Sequence, residues 1–279
     1  MIIENEYLRL EVTLMGGEIQ SLKYKKKDLE VMWQGDEAHW KGKNPSLFPI
    51  VGNTFTKDYQ IDGKTYAMKN HGLIRYEKLH LVKKSQDEIT LELKSTPETL
   101  AQYPFDFTYQ IRYKLIENRV LITYQITNNS NKIMPFTFGL HPGFNVVDFD
   151  SSVLHYACEE EATQIIFNDG PVHEKKVKFF DWKLSHEEIA EAATLIYKDL
   201  KSPYVELKMK EYTIKMSIEG YPYFAVWTSD PQANFICLEP WYGHADFEKS
   251  DVPFENREGM MALSCDRTFM TSYWFEINE

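Results

Sequence analysis

The chain has 279 residues, of which 43% are hydrophobic and 14% aromatic, enough to fill a large core and within reach of one big all-β domain. Its net charge of −11 argues against a nucleic-acid partner or a polybasic membrane contact. Cys158, Cys237 and Cys265 are widely spaced, form no CxxC pair and suggest no disulfide framework. No apolar run approaches the roughly 20 residues of a membrane span, and Glu4, Glu6 and Arg9 interrupt any apolar leader. A soluble protein of a reducing cytoplasm is expected.

Period-two alternation dominates the chain. Leu8, Leu10, Val12 and Leu14 share one face of a predicted strand; Gly16-Gly17 breaks it, and Ile19 to Tyr24 resumes it. Lys25-Lys26-Lys27 reads as a turn between strands. Strands are expected over Ile89–Leu93 and Tyr109–Leu115, then Val120–Ile126 after a reversal at Glu117-Asn118. Pro135 to Leu140 is a further run, stopped by His141-Pro142-Gly143. Tyr204–Met209 and Tyr212–Ile218 form a hairpin, followed by Phe224–Trp227, Phe235–Leu238 and Phe269–Ile277. Helix is scarce: Ser95 to Glu98 and Ser185 to Glu188 read as capped starts of short helices. With many strands, short turns, no repeat and no linker, residues 1–279 are read as a single large antiparallel β-sandwich.

Three breaks in this pattern carry the candidate chemistry. His141 ends an apolar run at a rigid corner, where a polar side chain needs a partner if buried. His71 precedes Gly72, whose freedom permits close backbone approach. Glu239 closes the apolar strand Phe235–Leu238, a setting that raises a carboxyl group toward the working range of a general base. The other histidines have no comparable setting. The sequence has no HxH, HExxH or His-x₃₋₅-His element, so no metal is expected. It also lacks a GxSxG elbow, a P-loop and GxGxxG, which weakens hydrolase, NTPase and dehydrogenase readings. Trp33, Trp40, Trp227, Trp241 and Tyr242 lie in or beside these segments, and aromatic faces beside polar groups suit sugar rings. Trp227 is included among the expected substrate contacts.

The ordered set Phe48-Pro49-Ile50-Val51-Gly52, Asn70-His71-Gly72, Gly139-Leu140-His141-Pro142 and Cys237-Leu238-Glu239-Pro240-Trp241 resembles the aldose 1-epimerase (galactose mutarotase) superfamily, nearest to its bacterial LacX-type branch. The resemblance spans almost the whole chain. It implies a galactose mutarotase-like β-supersandwich with an open sugar cleft, no cofactor, and interconversion of the α and β anomers of a hexose. Glu239 would be the base at the C1 hydroxyl, His141 the acid at the ring oxygen, and His71 a hydrogen-bonding partner of the substrate. Asn53 stands where galactose-type enzymes have an arginine, so galactose specificity does not carry over. The family's additional acidic residue finds no match. In a hexose-6-phosphate branch a His-Gly-x-x-Arg element and an upstream basic residue clamp phosphate; Arg75 and Lys41 fall at those places. The expected ligand is a small sugar or sugar phosphate and the expected state a monomer or homodimer. A carbohydrate-binding protein that keeps the cleft without catalysis is the competing class.

Overall fold

The alternating segments pair as strands in the computed structural model, which describes residues 1–168 and 170–279. Every second residue of Phe107–Ile116 and Arg119–Asn128 faces inward, so Tyr109, Ile111, Tyr113, Val120, Ile122 and Tyr124 are all buried. Each such apolar side chain contributes roughly 1.5–3 kcal/mol relative to exposure. These strands belong to one 15-stranded sheet. From Ser46–Leu47 its order runs through Phe138–Leu140, Phe235–Tyr242, Tyr223–Trp227, Leu195–Lys198, Val153–Ile166, Tyr204–Lys208 and Thr213–Ser217. It continues through Thr268–Asn278, Arg119–Asn128, Phe107–Ile116 and Glu88–Lys94 to His80–Lys84. Gly143–Asn145 and His173–Lys183 are attached to its flanks.

Distant parts of this sheet face one another across the core. The Phe138 ring lies 5.0 Å from Tyr124, and Phe144 lies 5.5 Å from Phe275. A separate four-stranded sheet, Ile2–Glu4, Leu8–Val12, Ile19–Tyr24 and Leu29–Glu30, adds Leu8, Leu10, Val12 and Ile19 to the same core. This is a large antiparallel β-sandwich. Its two short helices, Pro97–Gln102 and His186–Ala192, occur where capping patterns place them, although the first is capped by Thr96 rather than Ser95.

Two features depart from the sequence reading. The longest hairpin, Val153–Ile166 with His173–Lys183, was not legible, because its second strand is exposed or half-exposed throughout and shows no clear apolar period. Charge pairs such as Glu161 with Lys178 lie across its outer face, while Val177, Phe179 and Trp182 pack partly buried against the core. The strand expected to stop at Leu238 runs to Tyr242. Pro240 is accommodated because the neighbouring ladder is interrupted beside it, between Phe138–Leu140 and Gly143–Asn145. Glu239 therefore sits within a strand rather than at its end.

Candidate active site

The interrupted ladder brings the acid and base candidates together. On one side of the corner Gly139 pairs with Trp241, and on the other Gly143 pairs with Cys237. Continuing that register across the corner sets His141 opposite Glu239. His141 Nε2 lies 3.4 Å from Glu239 Oε2, with the two residues 6% and 1% exposed. Trp40 stacks on the His141 imidazole at 4.8 Å and 23°, and Trp227 meets it edge-on at 5.4 Å.

His71 reaches the site from a loop whose backbone is stitched to residues 48–52. Its N–H donates to the Gly52 carbonyl at 2.6 Å, and the Leu73 N–H donates to the Phe48 carbonyl at 2.8 Å. The Gly52 N–H in turn donates to His71 Nδ1 at 3.1 Å. With Nδ1 accepting, the neutral ring carries its proton on Nε2 and is a hydrogen-bond donor there. The His71 and His141 rings stand 5.4 Å apart and nearly perpendicular.

Burial governs the charges. It pushes the Glu239 carboxyl well above the usual carboxylate range. Burial also holds the His141 imidazolium far below its ordinary value, and the neighbouring His71 and Arg75 add to this. Among the described residues His141 Nδ1, Glu239 Oε2 and Trp241 Nε1 are buried without a hydrogen-bond partner. Unpaired buried polar atoms cost about 1–3 kcal/mol each, so their concentration at one place marks a surface that a polar ligand completes.

His71 is pushed down to about 3, chiefly by burial and then by Arg75. In the unfolded chain a histidine takes up its proton near about 6.5. The unfolded state is thus protonated first, and this residue's contribution to stability, complete above that value, is lost as the pH falls toward 3. Urea midpoints at pH 7 and 4.5 check this: the native protein loses more stability than His71→Asn, whose side chain tolerates the same left-handed backbone (φ 66°). Equal losses would contradict it.

These groups open onto a cavity of about 360 Å³. Trp40, Trp227 and Trp241 wall it together with Phe167 and Phe247, whose rings stack at 4.5 Å. Asn70, His71 and Arg75 supply its polar side. Such a mixture of aromatic faces and a few convergent polar groups is the usual character of a small-molecule site.

The aldose 1-epimerase family model matches residues 1–258. The chain belongs to the aldose 1-epimerase family. Within that family it is 28% identical to the chromosomal protein LacX of Lactococcus lactis subsp. lactis over 267 residues, 86% of this chain and 87% of that one. Among solved structures, the galactose mutarotase related enzyme of Lactobacillus acidophilus superposes with a TM-score of 0.94 at 27% identity. That match covers 100% of this chain and 97% of the other. A galactose mutarotase-like protein from Lactobacillus casei gives a TM-score of 0.93 at 26% identity, covering 100% and 99%.

In this aldose 1-epimerase family member, the structure gathers some of the residues singled out from sequence and leaves others aside. Glu239, His141, His71, Arg75 and Trp227 all line the cavity. Asn53 does not: its Oδ1 accepts the Thr54 N–H at 2.8 Å and its amide turns toward the Met68 carbonyl. Lys41 is also outside the lining, with its ammonium on exposed Glu37 at 3.1 Å, four residues back along the chain. Arg75 is thereby the one Lys or Arg of the lining among the described residues. Sequence reasoning missed Phe167, just after the unrecognised strand Val153–Ile166, Thr194 and Ile196 at its neighbour Leu195–Lys198, and Phe247 in the loop after Phe235–Tyr242, none of which carries a local signal. It also missed that Cys237 lies beside the pair: donor atoms of His141, Cys237 and Glu239 all fall within 4.8 Å of one another.

Proposed function

We propose that the protein is a cofactor-free aldose 1-epimerase, an isomerase of the EC 5.1.3 type, interconverting the α and β anomers of a hexose. The observation that carries this reading is the buried His141–Glu239 pair, 3.4 Å apart at the base of an aromatic-walled cavity. Ring opening needs a base at the C1 hydroxyl and an acid at the ring oxygen, acting together. Glu239 takes the hydroxyl proton while His141 delivers its own to the ring oxygen, and the neutral His71 Nε2–H holds a substrate oxygen. Afterwards Glu239 is protonated and His141 neutral. Rotation about C1–C2 and the reverse transfers close the ring on its other face.

The pair carries one proton throughout, so no exchange with solvent is required. Burial disfavours the ionised pair and favours two neutral groups. That is the arrangement matched to the open-chain aldehyde, so desolvation drives the proton transfers in the direction of ring opening. The strand scaffold supplies the orientation.

Arg75 in the lining favours a second reading, a hexose 6-phosphate as the sugar, with Arg75 alone as the charged contact. NMR saturation transfer on glucose, galactose and their 6-phosphates distinguishes the readings against spontaneous exchange. Acceleration of the free hexoses is the expected result. If the phosphates are preferred, Arg75→Met raises their KM about 10- to 100-fold, the cost of one charged hydrogen bond, and spares free hexoses, while Lys41→Met changes neither. If no sugar exchanges above baseline, the enzyme reading falls and a carbohydrate-binding protein takes its place.

A further inference from the structure

We propose that His141, Cys237 and Glu239 form a binding site for a thiophilic divalent cation, zinc or cadmium, at the base of the cavity, and that its occupation excludes the sugar. The three donors come from adjacent ladder positions. Cys237 and Glu239 are two residues apart on one strand and so share a face. His141 stands across from them on the corner that pairs with the same strand. One ligand atom from each lies within 4.8 Å of the others, and the imidazole–carboxylate separation is 3.4 Å. Zinc–ligand bonds of about 2.0–2.3 Å in a tetrahedral arrangement put the ligands about 3.3–3.6 Å apart. One edge of the site already has that length, and the other two are no longer than 4.8 Å.

A second, independent feature points to a ligand. Glu239 Oε2, the oxygen facing His141 Nε2, is buried and unpartnered among the described residues, and Trp40 and Trp227 shield the imidazole from water. A thiol and an imidazole select zinc or cadmium over magnesium or calcium, which prefer oxygen donors. Three protein ligands leave a fourth position facing the cavity for water or buffer. Binding displaces the thiol and carboxyl protons to solvent, two for each cation, so affinity rises with pH. The site is thus a reversible off-switch on the proton-transfer pair.

Cadmium titration followed by near-ultraviolet thiolate-to-metal absorbance reads the site directly. Cys265 is exposed and Cys158 partly so; replacing both with Ser removes their own cadmium binding and supplies the reference protein. One equivalent of CdCl₂ is expected to saturate the absorbance band, and further replacement Cys237→Ser to abolish it. Zinc inhibition of anomer exchange, read against each protein's own metal-free rate, weakens at least about tenfold in Cys237→Ser. Glu239→Gln keeps the thiol and therefore the band, at lower affinity, which separates loss of a ligand from loss of the fold. Absence of a band in the reference protein, its persistence in Cys237→Ser, or equal zinc inhibition of both would overturn the proposal. The absorbance needs no turnover, so the result stands apart from the fate of the epimerase reading.

Discussion

Glu239→Gln lowers kcat for anomer exchange by about 10²- to 10⁴-fold, the usual worth of a positioned general base, while the thermal midpoint stays where it was. The side chain keeps its size and its place opposite His141, so the cavity and its aromatic walls persist. An amide cannot take the C1 hydroxyl proton, and both directions of the reaction lose the same step. Replacement is mild for the fold because the amide matches the carboxyl group in size and shape, and burial disfavours the carboxylate charge that it removes. Saturation transfer gives the rate and calorimetry the midpoint. A variant within about threefold of the native rate would remove Glu239 from the mechanism; a rate loss tracking a lower midpoint would assign it a structural role instead.

Gly72→Ala destabilises the protein by about 3 kcal/mol or more, combining left-handed backbone strain with a direct clash. Gly72 has φ +79°, and a Cβ there would stand 2.3 Å from the Phe48 carbonyl oxygen. The neighbour is backbone, locked by its hydrogen bond to Leu73, and cannot yield. In a protein of this size that loss corresponds to a midpoint lowered by roughly 6–12 °C. Gly63→Ala is the control: φ is similar at +74°, but nothing lies within 4 Å of its added methyl. It should cost only about 1 kcal/mol of backbone strain. Similar losses in the two variants, measured by denaturant unfolding, would show that the contact with Phe48 does not matter. Because His71 is the adjacent residue, Gly72→Ala also raises KM.

These two residues illustrate what a single sequence can convey. The β-sandwich was legible because strands with one buried face, such as Phe107–Ile116, write their orientation into every second residue. His141 and Glu239 stood out because each ends an apolar run beside a Pro, and His71 because it precedes a Gly. What places His141 against Glu239 is long-range pairing between segments almost a hundred residues apart, and no local pattern encodes it. The strand His173–Lys183 escaped notice because Phe180 on its exposed side interrupts the alternation of Val177, Phe179 and Trp182, and lysines and glutamates fill the rest. Lys41 matched a family position by counting, yet its ammonium is held by Glu37 away from the cavity. Cys237 read as one more core residue, since adjacency to a histidine and a glutamate exists only after folding.

The facing of His141 and Glu239 is settled by strand register, so it is counted in whole residues and cannot be tuned by degrees. Alternate residues of a strand look to opposite faces. Inserting or deleting one residue between Gly139 and Gly143 would carry the imidazole to the far side of the sheet in a single step. A two-residue change would restore the side but displace the group by about 7 Å along the strand. The length of that one corner is therefore as much a part of the site as the identities of the side chains it carries.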